Sequence, residues 1–345
     1  MNGRQLLREK LAGRKTERTP VVLFSAGAWT FNSLGLPLEA VIGDAELMAG
    51  AISQTFLNKA ASDAVWTGSG FNNLPVRVFG GQIVYPKQGT PRVTKEAFDD
   101  ASGLDAIDID RIALDPDVRS LWETTTRVKE AIGARTMIGA CGWGPFTLAG
   151  QMYGTERLMS GIYKEPDAVR RVLGFCVDVS TRYYRGFIEN GAEIISIAEP
   201  IASGDMISRQ HFEAFVVPVI TAFLDRLKDL AVYNLLHICG NITNRLDLIP
   251  GMGVDVLSVD YKVDLKKVRA EVGRKIAFAG NVNPAEVMQQ GTPEDVTAAS
   301  LQCIRDAGDD AKFILMPGCD IPPSVPLGNI RAFLTAPASY KETTT

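Results

Sequence analysis

Glu193–Glu199 reads EIISIAE, a short and almost continuous apolar run that ends on a carboxylate. A run of this kind is typical of a strand whose two faces are both buried in a parallel sheet. Helix-length amphipathic stretches lie on either side, at Asp167–Asn190 and Ser208–Leu230, and a second apolar run follows at Val232–Cys239. This succession predicts parallel strands joined by crossover helices.

The same alternation extends along the chain and predicts eight strands. They are Pro20–Ser25, Ala64–Thr67, Arg135–Cys141, Glu193–Glu199, Val232–Cys239, Val254–Asp260, Lys275–Asn281 and Lys312–Cys319. The other predicted helices are Asp44–Ala61, Leu114–Gly133, Gly154–Gly161, Asn244–Gly251, Leu265–Val272, Thr292–Ala307 and Leu327–Leu334. Eight strands that alternate with helices favour an α/β fold, the (β/α)8 TIM barrel.

Three segments lie outside the barrel pattern. Asn2–Leu11 predicts an N-terminal helical extension that packs outside the barrel. Val76–Val93, with Gly80-Gly81 inside it, predicts a β-hairpin inserted after the second strand. The tail Lys341–Thr345 is predicted to be frayed.

Composition and charge narrow the class of protein. The 345 residues are 46% hydrophobic and 22% charged, as in ordinary globular proteins, and the net charge of −4 gives no basic footprint for nucleic acid. No stretch reaches the roughly 18 apolar residues of a transmembrane helix, and the N-terminus lacks the apolar core of a signal peptide. Five cysteines at uneven spacing do not form a disulfide framework. We therefore expect a cytoplasmic protein with one domain over residues 1–345 and no membrane or nucleic-acid partner.

One histidine and two cysteines stand at the ends of two predicted strands. His237 and Cys239 alternate with Ile238, so their side chains point to the same side of an extended chain. Cys319 ends the last strand, and the carboxyl ends of barrel strands share the face where active sites form. An imidazole and two thiolates make a three-ligand zinc set, which leaves the fourth position open, as in catalytic sites. The alternative, a core histidine and two small buried cysteines, accounts poorly for the position of all three residues at strand ends.

Further polar residues follow other strands at the same end of the barrel. Glu199 and Asp260 each have three predicted roles: a fourth zinc ligand in the resting enzyme, an acceptor for backbone N–H groups of a loop, or the group that orients His237. Asn281 and Asn283 suit a polar ligand head group, and turn formation is the alternative.

A glycine-rich element, Gly139–Pro145, follows the third strand. Its glycines would let the backbone approach a flat ligand, and Gly142 and Trp143 are the residues we predict in a cofactor site. The alternative for Trp143 is that it is an ordinary core residue and contacts no ligand. The spacing matches neither the dinucleotide fingerprint nor the P-loop, and no lysine follows closely, so nucleotide hydrolysis is disfavoured.

On the basis of these residues, the chain resembles the uroporphyrinogen decarboxylase superfamily from about Arg4 to about Ala336. Within it the chain looks closest to the zinc-dependent corrinoid methyltransferases of the methylcobamide:coenzyme M type. The His-x-Cys…Cys zinc motif of that branch is matched by His237, Cys239 and Cys319. Further segments that match the branch are Glu199–Asp205, Leu257–Asp260, Pro317–Cys319 and Pro326-Leu327.

The decarboxylase branch is a poorer match. Its members carry an arginine-bearing segment after the first strand, which grips substrate carboxylates, whereas Phe24–Trp29 contains no arginine. Their aspartate after the second strand, which binds pyrrole nitrogens, has no counterpart in Trp66–Gly70. Gln151 stands where the decarboxylases have a tyrosine. The resemblance therefore disfavours tetrapyrrole decarboxylation.

What the resemblance implies is methyl transfer. Zinc held by His237, Cys239 and Cys319 would bind a substrate thiol as its thiolate, and a separate corrinoid protein would present methylcobalamin. The implied acceptor is coenzyme M or another small thiol, and a folate acceptor and the reverse, demethylating direction are both open. The rivals are a uroporphyrinogen decarboxylase-like tetrapyrrole enzyme and a non-catalytic corrinoid-protein-binding module with a structural zinc, which four protein ligands would close.

Overall fold

The computed structural model describes residues 1–24, 26–87, 89–309 and 312–340. Its strands are β1 (Ala64–Thr67), β2 (Gln82–Val84), β3 (Arg92–Lys95), β4 (Met137–Trp143), β5 (Ile194–Ala198), β6 (Tyr233–Ile238), β7 (Val256–Val259), β8 (Ala277–Val282) and β9 (Phe313–Pro317). Seven of them form one parallel sheet in the order β1-β4-β5-β6-β7-β8-β9, and β2 and β3 form a separate antiparallel pair.

The sheet closes into a barrel through residues 20–24, which lie between β9 and β1. Val21 forms a parallel bridge with Leu315 of β9, and its carbonyl accepts a hydrogen bond from the Asp63 N–H just before β1. The N–H of Val21 donates to the Asp63 carboxylate and that of Leu23 to the Ser62 hydroxyl. Because side chains replace the backbone acceptors of the Val21 and Leu23 N–H groups, the first of the eight predicted strands is a bridge and not a regular strand. Ser25, its predicted end, lies outside the described residues.

Helices cover the outside of the sheet. The α-helices are α1 (Gly3–Leu11), α2 (Gly27–Asn32), α3 (Leu38–Val41), α4 (Ala45–Asn58), α5 (Leu74–Val78), α6 (Arg111–Leu114), α7 (Pro116–Ile132), α8 (Pro145–Tyr153), α9 (Thr155–Lys164), α10 (Pro166–Glu189), α11 (Arg209–His211), α12 (Val217–Asp225), α13 (Leu265–Glu271), α14 (Pro293–Ala307) and α15 (Leu327–Ser339). Turns of 3-10 helix lie at Leu104–Ala106, Pro200–Ala202 and Thr243–Met252, and π-helical turns at Phe212–Val216 and Pro284–Gln289. Within the described ranges, no helix has the length and apolar character that a membrane crossing requires.

The barrel prediction is confirmed, but several local elements differ, among them the hairpin and helix α8. The predicted hairpin begins too early, because residue 76 belongs to α5 and Gly80-Gly81 follows that helix instead of forming the hairpin turn. Helix α8 is absent from the predictions because Gln151 is its one residue that is not buried, so the sequence shows no polar stripe. The predicted frayed tail, 341–345, lies outside the described residues.

The N-terminal helix α1 covers the amino-terminal end of the barrel. Asn2 begins it with a capping box, in which Asn2 and Gln5 exchange side chain to backbone hydrogen bonds of 3.0 and 3.1 Å. Leu7 packs into the same apolar cluster as the interior strand residues Met137 and Ile194. The extension is therefore part of the barrel core at the end opposite the predicted site.

We expect Leu7→Ala to lower the free energy of unfolding by about 2–4 kcal/mol, because Leu7 is 1% exposed and its removal leaves a cavity. Urea denaturation followed by circular dichroism measures the change. Leu57→Ala on α4 is the matched control, since Leu57 is 51% exposed. Equal effects of the two substitutions would contradict this account of the barrel end.

Candidate metal centre at the barrel mouth

Three side chains meet at the carboxyl ends of β6 and β9. The Nε2 atom of His237 lies 3.1 Å from the Cys239 sulfur, which lies 3.2 Å from the Cys319 sulfur. The three ligand atoms all lie within 4.8 Å of one another, and no other His, Cys, Asp or Glu in the described part of the chain joins the group. His237 is buried, whereas both cysteines are partly exposed. The arrangement therefore offers three ligands and one accessible side.

The donor set fits zinc. Two sulfurs on a tetrahedral zinc stand about 3.8 Å apart when each Zn–S bond is about 2.3 Å, and a disulfide would bring them to about 2.05 Å. The observed 3.2 Å between Cys239 and Cys319 excludes a disulfide bond and is nearer to the first value.

The two thiols differ in acidity. The hydrogen bond that Cys319 accepts from the Cys239 thiol is the main reason that the pKa of Cys319 is lowered, to about 4, and His237 adds to it. The same hydrogen bond and burial raise the pKa of Cys239, and the carboxylates of Asp260 and Asp320 act in the same direction. The contact thus favours the thiolate form of Cys319 over that of Cys239, and a bound metal ion would favour the thiolate form of both.

Ser258 on β7 orients the imidazole of His237. Its hydroxyl lies 3.0 Å from Nδ1 of the ring, and the strand register pairs the two residues directly. The Phe24 ring packs against the imidazole, with 4.4 Å between the two ring centroids. As a result Nε2 is the nitrogen that faces the sulfurs. The sequence analysis did not assign a role to Ser258. The one sign of such a role in the sequence is a hydroxyl group inside the apolar run VLSV.

Glu199 anchors helix α8. Its carboxylate is fully buried and accepts the backbone N–H groups of Phe146 and Thr147 at 2.9 and 2.6 Å. Burial raises the pKa of Glu199 to about 7, against the opposing effect of these hydrogen bonds. A Cβ atom at position 144 would lie 2.2 Å from a Glu199 oxygen, which requires Gly144. Of its three predicted roles, these contacts support that of accepting backbone N–H groups.

Asp260 holds the turn that carries Cys239. Its carboxylate accepts the N–H of Gly240 and the N–H of Lys262, both at 2.9 Å. Gly240 directly follows Cys239 and has a φ of +75°, a conformation that favours glycine. Asp260 therefore positions the candidate metal ligand Cys239 through the backbone of the following residue. Of the three predicted roles of Asp260, its contacts support that of accepting backbone N–H groups of a loop.

The two asparagines predicted to bind a ligand head group have other partners. The Asn281 amide donates to the carbonyls of Asp260 and Val263 at 3.1 and 2.7 Å and so braces the loop after β7. The side-chain oxygen of Asn283 accepts two N–H groups of the helical turn Pro284–Gln289. Neither residue lines the cleft above the sulfurs. The contacts of Asn283 therefore favour turn formation over ligand binding. The contacts of Asn281 show that it holds a loop in place.

Gly142 and Trp143 take different positions. A Cβ atom at Gly142 would lie 3.0 Å from the hydroxyl oxygen of Tyr184 on α10, behind the sheet, so Gly142 packs against a helix instead of reaching the predicted cofactor site. Trp143 does reach the cleft, and its Nε1 donates to Asn73 at 2.7 Å. The glycines of this element thus make room for neighbouring side chains, not for a ligand.

A cleft with a cavity volume of about 200 Å³ leads to the candidate ligand set. Phe24, Trp143 and Pro200 supply much of its apolar wall, together with the three candidate ligands at its floor. Asn72 and Asp320 add polar groups. The cleft gives a small molecule access to the accessible side of the ligand set.

Comparisons with known proteins agree with this architecture. Residues 2–340 match the family model described as Uroporphyrinogen decarboxylase (URO-D). The Methylcobamide:CoM methyltransferase MtbA of Methanosarcina mazei is 36% identical over 198 residues, which cover 57% of this chain and 57% of that protein. The Methylcobamide:CoM methyltransferase MtaA of Methanosarcina barkeri is 29% identical over 224 residues, 65% of this chain and 64% of that protein.

The chain thus spans a little more than half the length of the first of these relatives, MtbA. Among solved structures, a methyltransferase from Methanosarcina mazei superposes with a TM-score of 0.86 over 98% of both chains at 24% identity. This likeness shows a shared fold along nearly the whole chain.

The raised pKa of Glu199 predicts a pH dependence of stability. The pKa of about 7 lies above the ordinary value of 4.5, so the stabilisation is complete below about pH 4.5 and is lost as the pH rises through 7. Relative to Glu199→Gln, we expect the wild type to lose about 3 kcal/mol of unfolding free energy over this range. Urea denaturation of both proteins at several pH values measures the difference. A difference that does not change with pH would show that the carboxyl group titrates normally.

Proposed function

The chain belongs to the uroporphyrinogen decarboxylase family, and we propose that within it the protein is a zinc-dependent methyltransferase. It moves a methyl group between methylcobalamin, presented by a separate corrinoid protein, and a thiol. The observation that carries the proposal is the convergence of His237, Cys239 and Cys319 within 4.8 Å at the floor of an open cleft. The relatives named as methylcobamide:CoM methyltransferases support the corrinoid donor and the thiol acceptor.

Each residue of the site has its own role in the proposed reaction. Zinc would be held by Nε2 of His237 and the sulfurs of Cys239 and Cys319, and when bound it supplies the Lewis acidity that lets a substrate thiol react as its thiolate at neutral pH. Cys239 and Cys319, as thiolates, balance the charge of the ion and so leave the substrate sulfur nucleophilic. Ser258 holds the imidazole in place, and Asp260 holds the turn of Cys239.

The transfer itself is a displacement at carbon. A lone pair of the thiolate sulfur forms the S–CH3 bond, and the electron pair of the Co–C bond stays on cobalt as Co(I). The apolar cleft walls, including Phe24 and Trp143, would limit the approach of water to the sulfur. Coenzyme M is the acceptor in the names of the relatives; a folate acceptor and the reverse direction use the same metal centre.

Two observations weigh against the rival functions. A tetrapyrrole decarboxylase needs cations for the substrate carboxylates, and no lysine or arginine lines the described wall of the cleft. A structural zinc is normally closed by four protein ligands, and the group in the described residues has three. Both favour a catalytic centre with an open position.

Zinc content tests the ligand set. We expect about one zinc per wild-type chain after exhaustive dialysis, and less than about one tenth of that in Cys239→Ser and in Cys319→Ser, because loss of a thiolate weakens the site greatly. Elemental analysis gives the metal, and circular dichroism confirms that the variants fold. Cys303→Ser is the matched control, since Cys303 lies outside the group and should keep its zinc. Full occupancy in both site variants would refute the assignment.

Methyl transfer is tested with zinc-loaded protein, free methylcobalamin and a panel of small thiols and tetrahydrofolate. We expect the visible spectrum of methylcobalamin to decay to that of demethylated cobalamin, with the methylated acceptor detected by mass spectrometry. Cys239→Ser should lower the rate at least about a hundredfold, because the thiolate is no longer activated, and Cys303→Ser should not. If the rate of methylcobalamin demethylation equals the protein-free background with every acceptor, the proposed reaction is refuted.

A further inference from the structure

The loop after β9, residues 318–326, carries Cys319 and leads to α15. It contains no regular helix or strand, so its position depends on contacts with its neighbours. On one side of Cys319 the contact is close: the Gly318 N–H donates to the Val282 carbonyl at 2.8 Å, and a Cβ atom at position 318 would lie 2.5 Å from the Tyr261 nitrogen. The residue before Cys319 is therefore fixed against β8 and the loop after β7.

The residues on the other side of Cys319 are held by helix α2. Three hydrogen bonds join this helix, with the residue before it, to the loop after β9. They run from the Ala26 N–H to Oδ1 of Asp320 at 2.9 Å, from Nε1 of Trp29 to the Val325 carbonyl at 2.9 Å, and from the Asn32 amide to the Pro323 carbonyl at 3.0 Å. The loop that follows Cys319 thus lies against α2 along most of its length.

The bond of Trp29 is the one best protected from water. Trp29 is 3% exposed and its hydrogen bond is buried, whereas the bonds of Asn32 and of Gln289 to Ser324 in the same loop are exposed. Loss of a buried donor leaves its acceptor unsatisfied, which costs more than the loss of a bond that water can replace. Since α2 has only six residues, it is not stable alone and depends on such contacts for its position.

The start of α2 is also fixed in place. Ala26 has a φ of +57°, a left-handed conformation that is uncommon for residues other than glycine. Such a conformation persists only where the surroundings determine it. Here the Ala26 N–H donates to Asp320, and the Gly27 N–H donates to the Ser69 hydroxyl at 2.9 Å. A displacement of α2 would therefore move Asp320, the residue next to Cys319.

We infer that Trp29 is a positioning residue of the candidate metal centre, because it holds α2 on the loop after β9 and so keeps Cys319 beside His237 and Cys239. Its role for Cys319 corresponds to that of Asp260 for Cys239. Trp29 is not among the described residues that line the cleft, so its effect passes through the backbone of the loop. The inference rests on the proposed function, since it takes Cys319 as a metal ligand.

Zinc affinity tests the inference in full-length protein. Trp29→Phe keeps an aromatic ring and removes the indole N–H. Trp122→Phe is the matched control, because the buried Trp122 of α7 donates its Nε1 to the Tyr183 carbonyl of α10 at 3.1 Å, a bond between two outer helices. Competition with chelators of graded zinc affinity should give a dissociation constant raised at least about tenfold in Trp29→Phe and less than about twofold in Trp122→Phe. A wild-type affinity in Trp29→Phe, or an equal loss in both variants, would overturn the inference.

A second measurement needs no metal. Hydrogen exchange followed by mass spectrometry reports how often residues 319–325 open in the metal-free proteins. We expect exchange in this segment to be at least about threefold faster in Trp29→Phe than in the wild type, and unchanged in Trp122→Phe, because only the first variant loses a bond to the loop. If Trp29→Phe does not fold, Asn32→Ala, which removes an exposed bond to the same loop, should show the same effect at a smaller size. Unchanged exchange would overturn the inference.

The two measurements separate this inference from the proposed reaction. A wild-type protein that binds no zinc would remove the proposed function, and exchange in the metal-free proteins would still decide whether Trp29 holds the loop. Zinc binding that depends on Trp29, without methyl transfer to any acceptor, would support the inference and remove the proposed reaction.

Discussion

The parallel register of β6 against β5 and β7 is the constraint on which the metal centre depends. It sets Ala198, His237 and Ser258 side by side across the barrel interior. A slip by one residue would turn the imidazole outward and bring the aliphatic side chain of Ile238 into the mouth. The same alternation brings Cys239 to the face of His237, so that only Cys319 has to be delivered from elsewhere.

The buried carboxylates around the mouth support backbone instead of adding ligands. Glu199 holds the start of α8, and Asp260 holds the turn after Cys239. Both carboxylates thus hold backbone next to the site, and neither belongs to the candidate ligand set of the described residues, which has three members.

The strands and the ligand set were predictable because buried apolar runs and alternating ligands leave local marks in the sequence. The closing segment was not, since its partners are the side chains of Asp63 and Ser62 in place of a backbone ladder. Nor could the sequence separate the roles of Glu199, because a ligand and a helix anchor both stand at the end of a strand.

Closure of the barrel joins the beginning of the chain to its last strand. Val21 pairs with Leu315, and Cys319 follows β9 by two residues. During synthesis on the ribosome, His237 and Cys239 emerge well before their third partner, so a nascent chain holds only two of the three ligands. If the three residues bind zinc as we propose, the ion would be captured only once the barrel is complete, because three ligands hold it far more tightly than two. Incomplete chains would therefore not retain it.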